Sequence, residues 1–130
     1  MTNLALYYEI GTTIEGMQTL DILGINPPFQ DPYSPYTIEV DAADSRVYGH
    51  GYAQTAWRWG FVSQAERDLL KTYCSGRSAI VYIRVRDEDW DFVYCKAVMI
   101  WQPEAPPSNG FVVGFSIVFR ILENYGVSPP

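Results

Sequence analysis

Few residues in this chain have a type and a spacing that could do chemistry. His50 is the sole histidine and lies between glycines in Val47-Tyr48-Gly49-His50-Gly51-Tyr52. Beside Asp41 or Asp44 it could serve as a general base. The simpler reading is a turn residue whose glycine neighbours allow positive φ. Zinc needs three or four nitrogen, sulfur or oxygen ligands. One histidine and two cysteines, Cys74 and Cys95, 21 positions apart, are a poor supply. The cysteines read instead as two buried thiols. Asp87, Glu88, Asp89 and Asp91 could offer carboxylates to calcium, but they lack the glycine-punctuated spacing of a calcium loop and read as a charged hairpin tip. Gly49 and Gly51 make no phosphate loop, because no strand-to-helix step with a lysine follows. Trp57, Trp59, Trp90 and Trp101 could stack on bases or sugars. For Trp57 and Trp59, alternation with Arg58 and Gly60 favours a place in the core instead. No catalytic cluster emerges, so no enzyme, metal or cofactor is expected.

The elements that must position these residues follow from composition and pattern. The chain has 130 residues, enough for one domain. Apolar residues make up 48% and charged residues 18%, which supplies a packed core and argues against disorder. Ten Tyr, six Phe and four Trp favour strands, since flat side chains fit a pleated half-buried surface. No apolar run reaches the roughly 18 residues of a spanning helix, so no membrane partner is expected. The start, Met1-Thr2-Asn3-Leu4, lacks the charged flank and apolar stretch of a signal peptide, so retention in the cytoplasm is expected.

Leu4 to Ile10 reads as a first strand, followed by a turn at Gly11-Thr12-Thr13. Residues 21–36 contain Pro27, Pro28, Pro32 and Pro35, and proline is excluded from central strands. This stretch reads as a long ordered loop or arm carrying Phe29, Tyr33 and Tyr36. Tyr36 to Val40 reads as a strand. Trp57, Trp59 and Phe61 form the buried face of another. Ser63 and Glu66 then match a capping box, opening a helix to about Tyr73 that buries Ala65, Leu69, Leu70 and Tyr73. Gly76 stands where a left-handed residue would end it. A strand follows with Ala79, Val81, Ile83 and Val85 inward, then a turn at Asp87-Glu88-Asp89 and a strand from Phe92 to Trp101. A proline loop at 103–110 leads to a last strand with Phe111, Val113, Phe115, Ile117, Phe119 and Ile121 on one face. Residues 123–130 read as a frayed tail. The expected fold is mainly β: an antiparallel sandwich or small barrel with one helix. The chain is one domain: an acidic strand plus proline-rich arm over 1–44, a core over 45–122 and the tail.

The order Tyr48-Gly49-His50-Gly51-Tyr52-Ala53-Gln54, Trp57-Arg58-Trp59, Val62-Ser63-Gln64-Ala65-Glu66, Lys96 to Trp101 and Gly110 to Arg120 resembles the minor tail proteins of lambda type (protein M) and the ring domain of siphophage distal tail proteins. It spans about residues 45–122. The resemblance implies a phage tail-tube-like fold and a structural role in the virion tail, assembled in the host cytoplasm. It implies a homo-oligomeric ring, typically a hexamer, stacked between the tail tube protein and the tail tip or hub protein. Edge strands would pair between neighbours, because unpaired amides and carbonyls template another chain. Phe29, Tyr33 and Tyr36 would be inter-subunit contacts, since aromatics supply much of an interface's energy. Tail tube or terminator protein, and a carbohydrate-binding module built on the tryptophans, are the alternatives.

Charge adds an expectation about such a ring. Residues 1–45 hold Glu9, Glu15, Asp21, Asp31, Glu39, Asp41 and Asp44 with no Lys or Arg, a balance of −7, while residues 46–130 balance at +1. A chain of net charge −6 does not grip phosphate. Six copies carry six times −6, or −36. Like charge keeps passing DNA from sticking, so these seven acids are expected to face the lumen.

Overall fold

A computed structural model of the chain describes residues 6–34, 52–104, 106–107 and 109–129, with the backbone alone of 38–41 and 47–50. Its strands are β1 (Glu9–Gly11), β2 (Gln18–Thr19), β3 (Phe29–Gln30), β4 (Ile38–Asp41), β5 (Val47–His50), β6 (Ala53–Ser63), β7 (Ser78–Arg86), β8 (Phe92–Trp101) and β9 (Phe111–Gly126). The helices are α1 (Leu20–Leu23) and α2 (Gln64–Lys71). Seven strands form one antiparallel sheet in the order β2-β1-β7-β8-β9-β6-β3, and β4 and β5 form a separate pair. The large sheet curls into a half-barrel, so the fold is mainly β, as its composition implies.

Alternation builds the core. Val81, Ile83 and Val85 of β7, Val93, Cys95, Ala97, Met99 and Trp101 of β8, and Phe115, Ile117, Phe119 and Ile121 of β9 are buried, and their neighbours point outward. Trp57 and Trp59 complete the inner face from β6. Trp57 meets Phe119 edge-on at 4.7 Å between centroids, and Trp101 meets Phe115 at 5.3 Å. Such offset arrangements suit the ring quadrupoles.

The capping box is present in full. Glu66 N donates to Ser63 Oγ and Ser63 N donates to Glu66 Oε1, both at 3.2 Å. The helix stops two residues earlier than its pattern suggests, as its last turn tightens into i→i−3 bonds, Thr72 N to Leu69 O at 3.2 Å and Tyr73 N to Leu70 O at 3.1 Å. Gly76 is not left-handed, and Ala65 is exposed; only Leu70 is fully buried, with Leu69 and Tyr73 half-buried.

Other expectations are corrected. The first strand covers Glu9–Gly11, while Leu6 and Tyr7 lie in a turn and are exposed, with Tyr7 stacked on Phe92. The proline-rich stretch contains α1, whose N-cap Thr19 and left-handed C-cap Gly24 make a helix of one turn too short for periodicity to register. Residues 29–34 lie along β6 through Phe29↔Arg58, Gln30↔Trp57 and the Ser34↔Gln54 bridge. His50 is no turn residue: its backbone pairs with Ile38 in the β4–β5 ladder. Glu123 to Gly126 are not frayed, for they extend β9 along β8, with Lys96↔Glu123 and Cys95↔Asn124.

The inner face of β6 and β9 changes phase near one end. Phe61, Phe111 and Val113 are exposed, where alternation puts them inside, and Val62 and Val112 are buried instead. Register is kept across the change, from Trp59↔Phe115 to Phe61↔Val113, but the run of partners skips Gly60 and Gly114. Gly114 has φ +67°, a conformation side-chain-bearing residues avoid. One irregular step at the paired glycines turns both strands over together.

Candidate functional site

The half-barrel is clasped by Gln30. Its Oε1 accepts from Arg86 N at 2.9 Å and from the Tyr8 hydroxyl at 3.2 Å. Its Nε2 donates to Arg86 O at 2.7 Å and to Thr55 Oγ1 at 3.0 Å. One amide thereby joins β3 and β6 to the far end of β7, using all four of its hydrogen-bonding positions. Thr55 is buried and its hydroxyl passes the chain on to Asp31 O at 2.9 Å.

Above this clasp lies a cleft of about 400 Å³ between the proline-rich segment and the β7–β8 hairpin tip. Phe29 and Trp90, 79% and 82% exposed, are among its lining residues, with Tyr8, Gln30, Tyr33 and Arg86 deeper in. Pro27, Pro28 and Pro32 stiffen the chain around Phe29. Asp87 shapes the opposite wall: its Oδ1 accepts from Asp89 N at 2.9 Å and Asp91 N at 3.1 Å. That bonding makes Asp87 a turn-former. Among the described residues, no group of three His, Cys, Asp or Glu could hold a metal ion. The turn forces Trp90 to φ +67°. The Arg86 guanidinium lies 4.9 Å from the Phe92 ring, and its Nε is buried with no hydrogen-bond partner. Burial raises the Tyr8 hydroxyl above its ordinary pKa, with Arg86 opposing. Burial raises Tyr33 too, against a hydrogen bond from Asn124, and Asp87 and Glu88 add to the rise.

The other expected stacking residues are not available. Trp57, Trp59 and Trp101 are at most 7% exposed. Trp59 Nε1 donates to Asn26 O at 2.9 Å. Trp101 lies beneath Lys71 and Arg67, whose cations stand 4.4 and 5.5 Å from its ring. Of the four tryptophans, Trp90 alone presents its ring to solvent.

The expected interface residues part company. Phe29 is exposed, and Tyr33 is half-buried against the core with its hydroxyl accepting from Asn124 at 3.4 Å. Tyr36 lies outside the described residues. Of the seven acids, the structure places the side chains of four. Glu9 on β1 pairs with Arg84 at 3.4 Å and Asp31 after β3 pairs with Arg58 at 2.7 Å. Glu15 lies in the β1–β2 turn and Asp21 in α1, both exposed. Glu39 and Asp41 are placed by backbone only, and Asp44 lies outside the described residues. Both cysteines are buried free thiols. Cys74 Sγ donates to Gly76 O at 3.3 Å, and burial, with Asp87 adding, pushes the Cys95 thiol up to about 12.

Among the described residues, several strand stretches lack a strand partner on one side, among them part of β6 and part of β7. On β6, β3 reaches only Trp57 and Arg58, leaving 59–63 open. On β7, β1 reaches only Tyr82 to Arg84, leaving 78–81 open. Each carries an exposed apolar side chain: Phe61, 63% exposed and edge-on to Phe111, and Ile80, 56% exposed.

Comparison with family models, curated proteins and solved structures finds no match.

Proposed function

We propose that this chain is a structural protein of a phage tail, forming a ring, most simply a hexamer, at the distal end of the tail tube and joining it to the tail tip. The observation that carries the reading is the pair of open strand edges on β6 and β7, each bearing an exposed apolar residue. The two edges differ in sequence and lie on different strands, so one copy can offer β7 to the β6 of the next. Such a head-to-tail contact makes a ring when its rotation closes. Added strand pairing supplies the backbone hydrogen bonds, and Phe61 with Phe111 and Val113 supplies apolar burial.

The sequence order that resembles the tail ring proteins supports the same reading, because it lies on β5, β6, α2, β8 and β9 in turn. The acids stand differently. Glu9 and Asp31 pair with Arg84 and Arg58, so these two would add little to an acidic lumen. Mass photometry and negative-stain imaging of the purified protein, with and without tail tube protein, test the proposal. Ring-shaped particles of uniform mass are the expected result. A strictly monomeric particle that binds no tail component would sink it.

A further inference from the structure

We propose that the cleft beneath Phe29 and Trp90 is a binding site for a neutral pyranose sugar. The site is complete within one chain and does not rest on the ring reading.

Three observations carry it. First, Trp90 is unfavourably placed for folding on two counts. It holds a left-handed backbone conformation that glycine or asparagine would adopt more easily, and it leaves 82% of a large ring in water. A turn selected for stability alone would not use tryptophan there. Strain of this kind, where the backbone is over-determined by its surroundings, is a marker of function. The surroundings here are the Asp87 N to Asp91 O bond and the Asp87 carboxylate bonds. Second, Phe29 is the other exposed aromatic of the same cleft, held on a two-residue strand between prolines. Rigid aromatics lose little entropy on binding. Third, the cleft is amphipathic. Its rim is aromatic, while Arg86, Tyr33 and Gln30 also line it and bring polar groups to it.

A pyranose has the matching character: one C–H face for a ring to cover, and a rim of hydroxyls that donate and accept. Gln30 is saturated by Tyr8, Thr55 and Arg86, so it holds the cleft in place and leaves the sugar to others. The Arg86 guanidinium can donate and the Glu88 carboxylate can accept, which suits adjacent hydroxyls and leaves the ligand uncharged. Other ligands fit less well. An apolar peptide side chain would desolvate the polar groups without satisfying them. A nucleic acid would stack on the aromatics but bring phosphates to Asp31, Asp87 and Glu88. A cationic peptide would be drawn to Asp87 and Glu88 but opposed by Arg86, and an oligolysine probe separates that case.

The test is a titration of the isotope-labelled full chain, followed by the four tryptophan indole N–H resonances. The probes are methyl glucoside, methyl galactoside, N-acetylglucosamine and their short oligomers at millimolar concentration. The expected result is a saturable shift of the Trp90 indole with at least one sugar, while the buried indoles of Trp57, Trp59 and Trp101 stay still. Trp90→Gly should keep the fold, since glycine suits that backbone, and should lose the saturable shifts that the same sugar produces in the backbone amides of Phe29, Gln30 and Glu88 of the unmodified chain. Phe29→Ala should weaken binding about tenfold, the scale of one lost aromatic stack. No saturable Trp90 shift with any of these sugars overturns the proposal. So do saturable shifts of the cleft backbone amides that survive in Trp90→Gly, or a Trp90 shift produced only by an oligolysine peptide or an oligonucleotide.

Discussion

Single side chains in this protein show how environment outweighs residue type. Cys74 and Cys95 are both buried free thiols, yet only Cys74 has a carbonyl acceptor close by, at 3.3 Å. A serine hydroxyl fits the first site and is stranded in the second. Cys95→Ser should therefore cost about 1–3 kcal/mol, the penalty for a buried unsatisfied group, and Cys74→Ser distinctly less. Urea melts of the two variants check the order. The Cys95 thiol also sets a pH dependence. Its pKa rises from 9.0 to about 12 on folding, through burial first and Asp87 second. The raised value means the folded state keeps a proton that the unfolded state releases. Its contribution is fully present below 9.0 and is lost as the pH rises toward about 12. In that window stability falls by about 1.4 kcal/mol per pH unit from this group alone. Tyr8, Tyr33 and Tyr73, also raised by burial, add to the alkaline loss. Comparing wild type with Cys95→Ala isolates the thiol: the variant should lose less stability between neutral and strongly alkaline pH. An identical slope in both would show the thiol titrates freely. Trp90 makes the opposite kind of statement. Relieving its left-handed strain by Trp90→Gly should raise stability by about 1 kcal/mol, readable as a higher melting temperature.

At the scale of elements, the paired glycines of β6 and β9 decide which side chains leave the core. Gly60 and Gly114 both have open space where a Cβ would go, but only Gly114 has a positive φ. Gly114→Ala should destabilise by about 1 kcal/mol because alanine resists that conformation. Gly60→Ala should be neutral or slightly stabilising, through the reduced freedom of the unfolded chain. Equal losses for both would mean that the step needs two glycines rather than one. This step also marks the limit of reading strands from pattern. Regular alternation in β7 and β8 made their inner faces legible, and Ser63 with Glu66 made the start of α2 legible. Period two carries no signal for a phase change, so Phe61, Phe111 and Val113 read as core when they are exposed. The clasp was illegible for a different reason. Gln30 joins residues 25 and 56 positions away, and nothing in a lone glutamine between prolines announces its partners. The cleft was half legible: Trp90 stood among the stacking candidates, but its exposure and its closeness to Phe29 come only from the way the curled sheet brings segment 28–33 to the hairpin tip.

For the whole molecule, the question is how a half-barrel with unfinished edges avoids indefinite aggregation and reaches a defined assembly. A head-to-tail contact uses two different surfaces, so each copy has one free end of each kind until the circle closes. This makes a specific forecast about variants that block one edge at a time. A lysine on an edge strand opposes pairing, because its charge cannot be buried between strands. Phe61→Lys should abolish assembly by spoiling β6, and Ile80→Lys should do so by spoiling β7. Both side chains are more than half exposed, so each variant should keep its fold and melt within about 0.5 kcal/mol of wild type. Mixed together, the two variants should form a dimer and stop there. The Ile80→Lys copy keeps a good β6 edge, the Phe61→Lys copy keeps a good β7 edge, and these join once, leaving two blocked edges outside. A symmetric contact of β6 on β6 predicts otherwise: Ile80→Lys would assemble as well as wild type, and the mixture would gain nothing. Mass photometry of each variant and of the equimolar mixture separates these cases, since the heterologous ring requires monomer, monomer and dimer in that order.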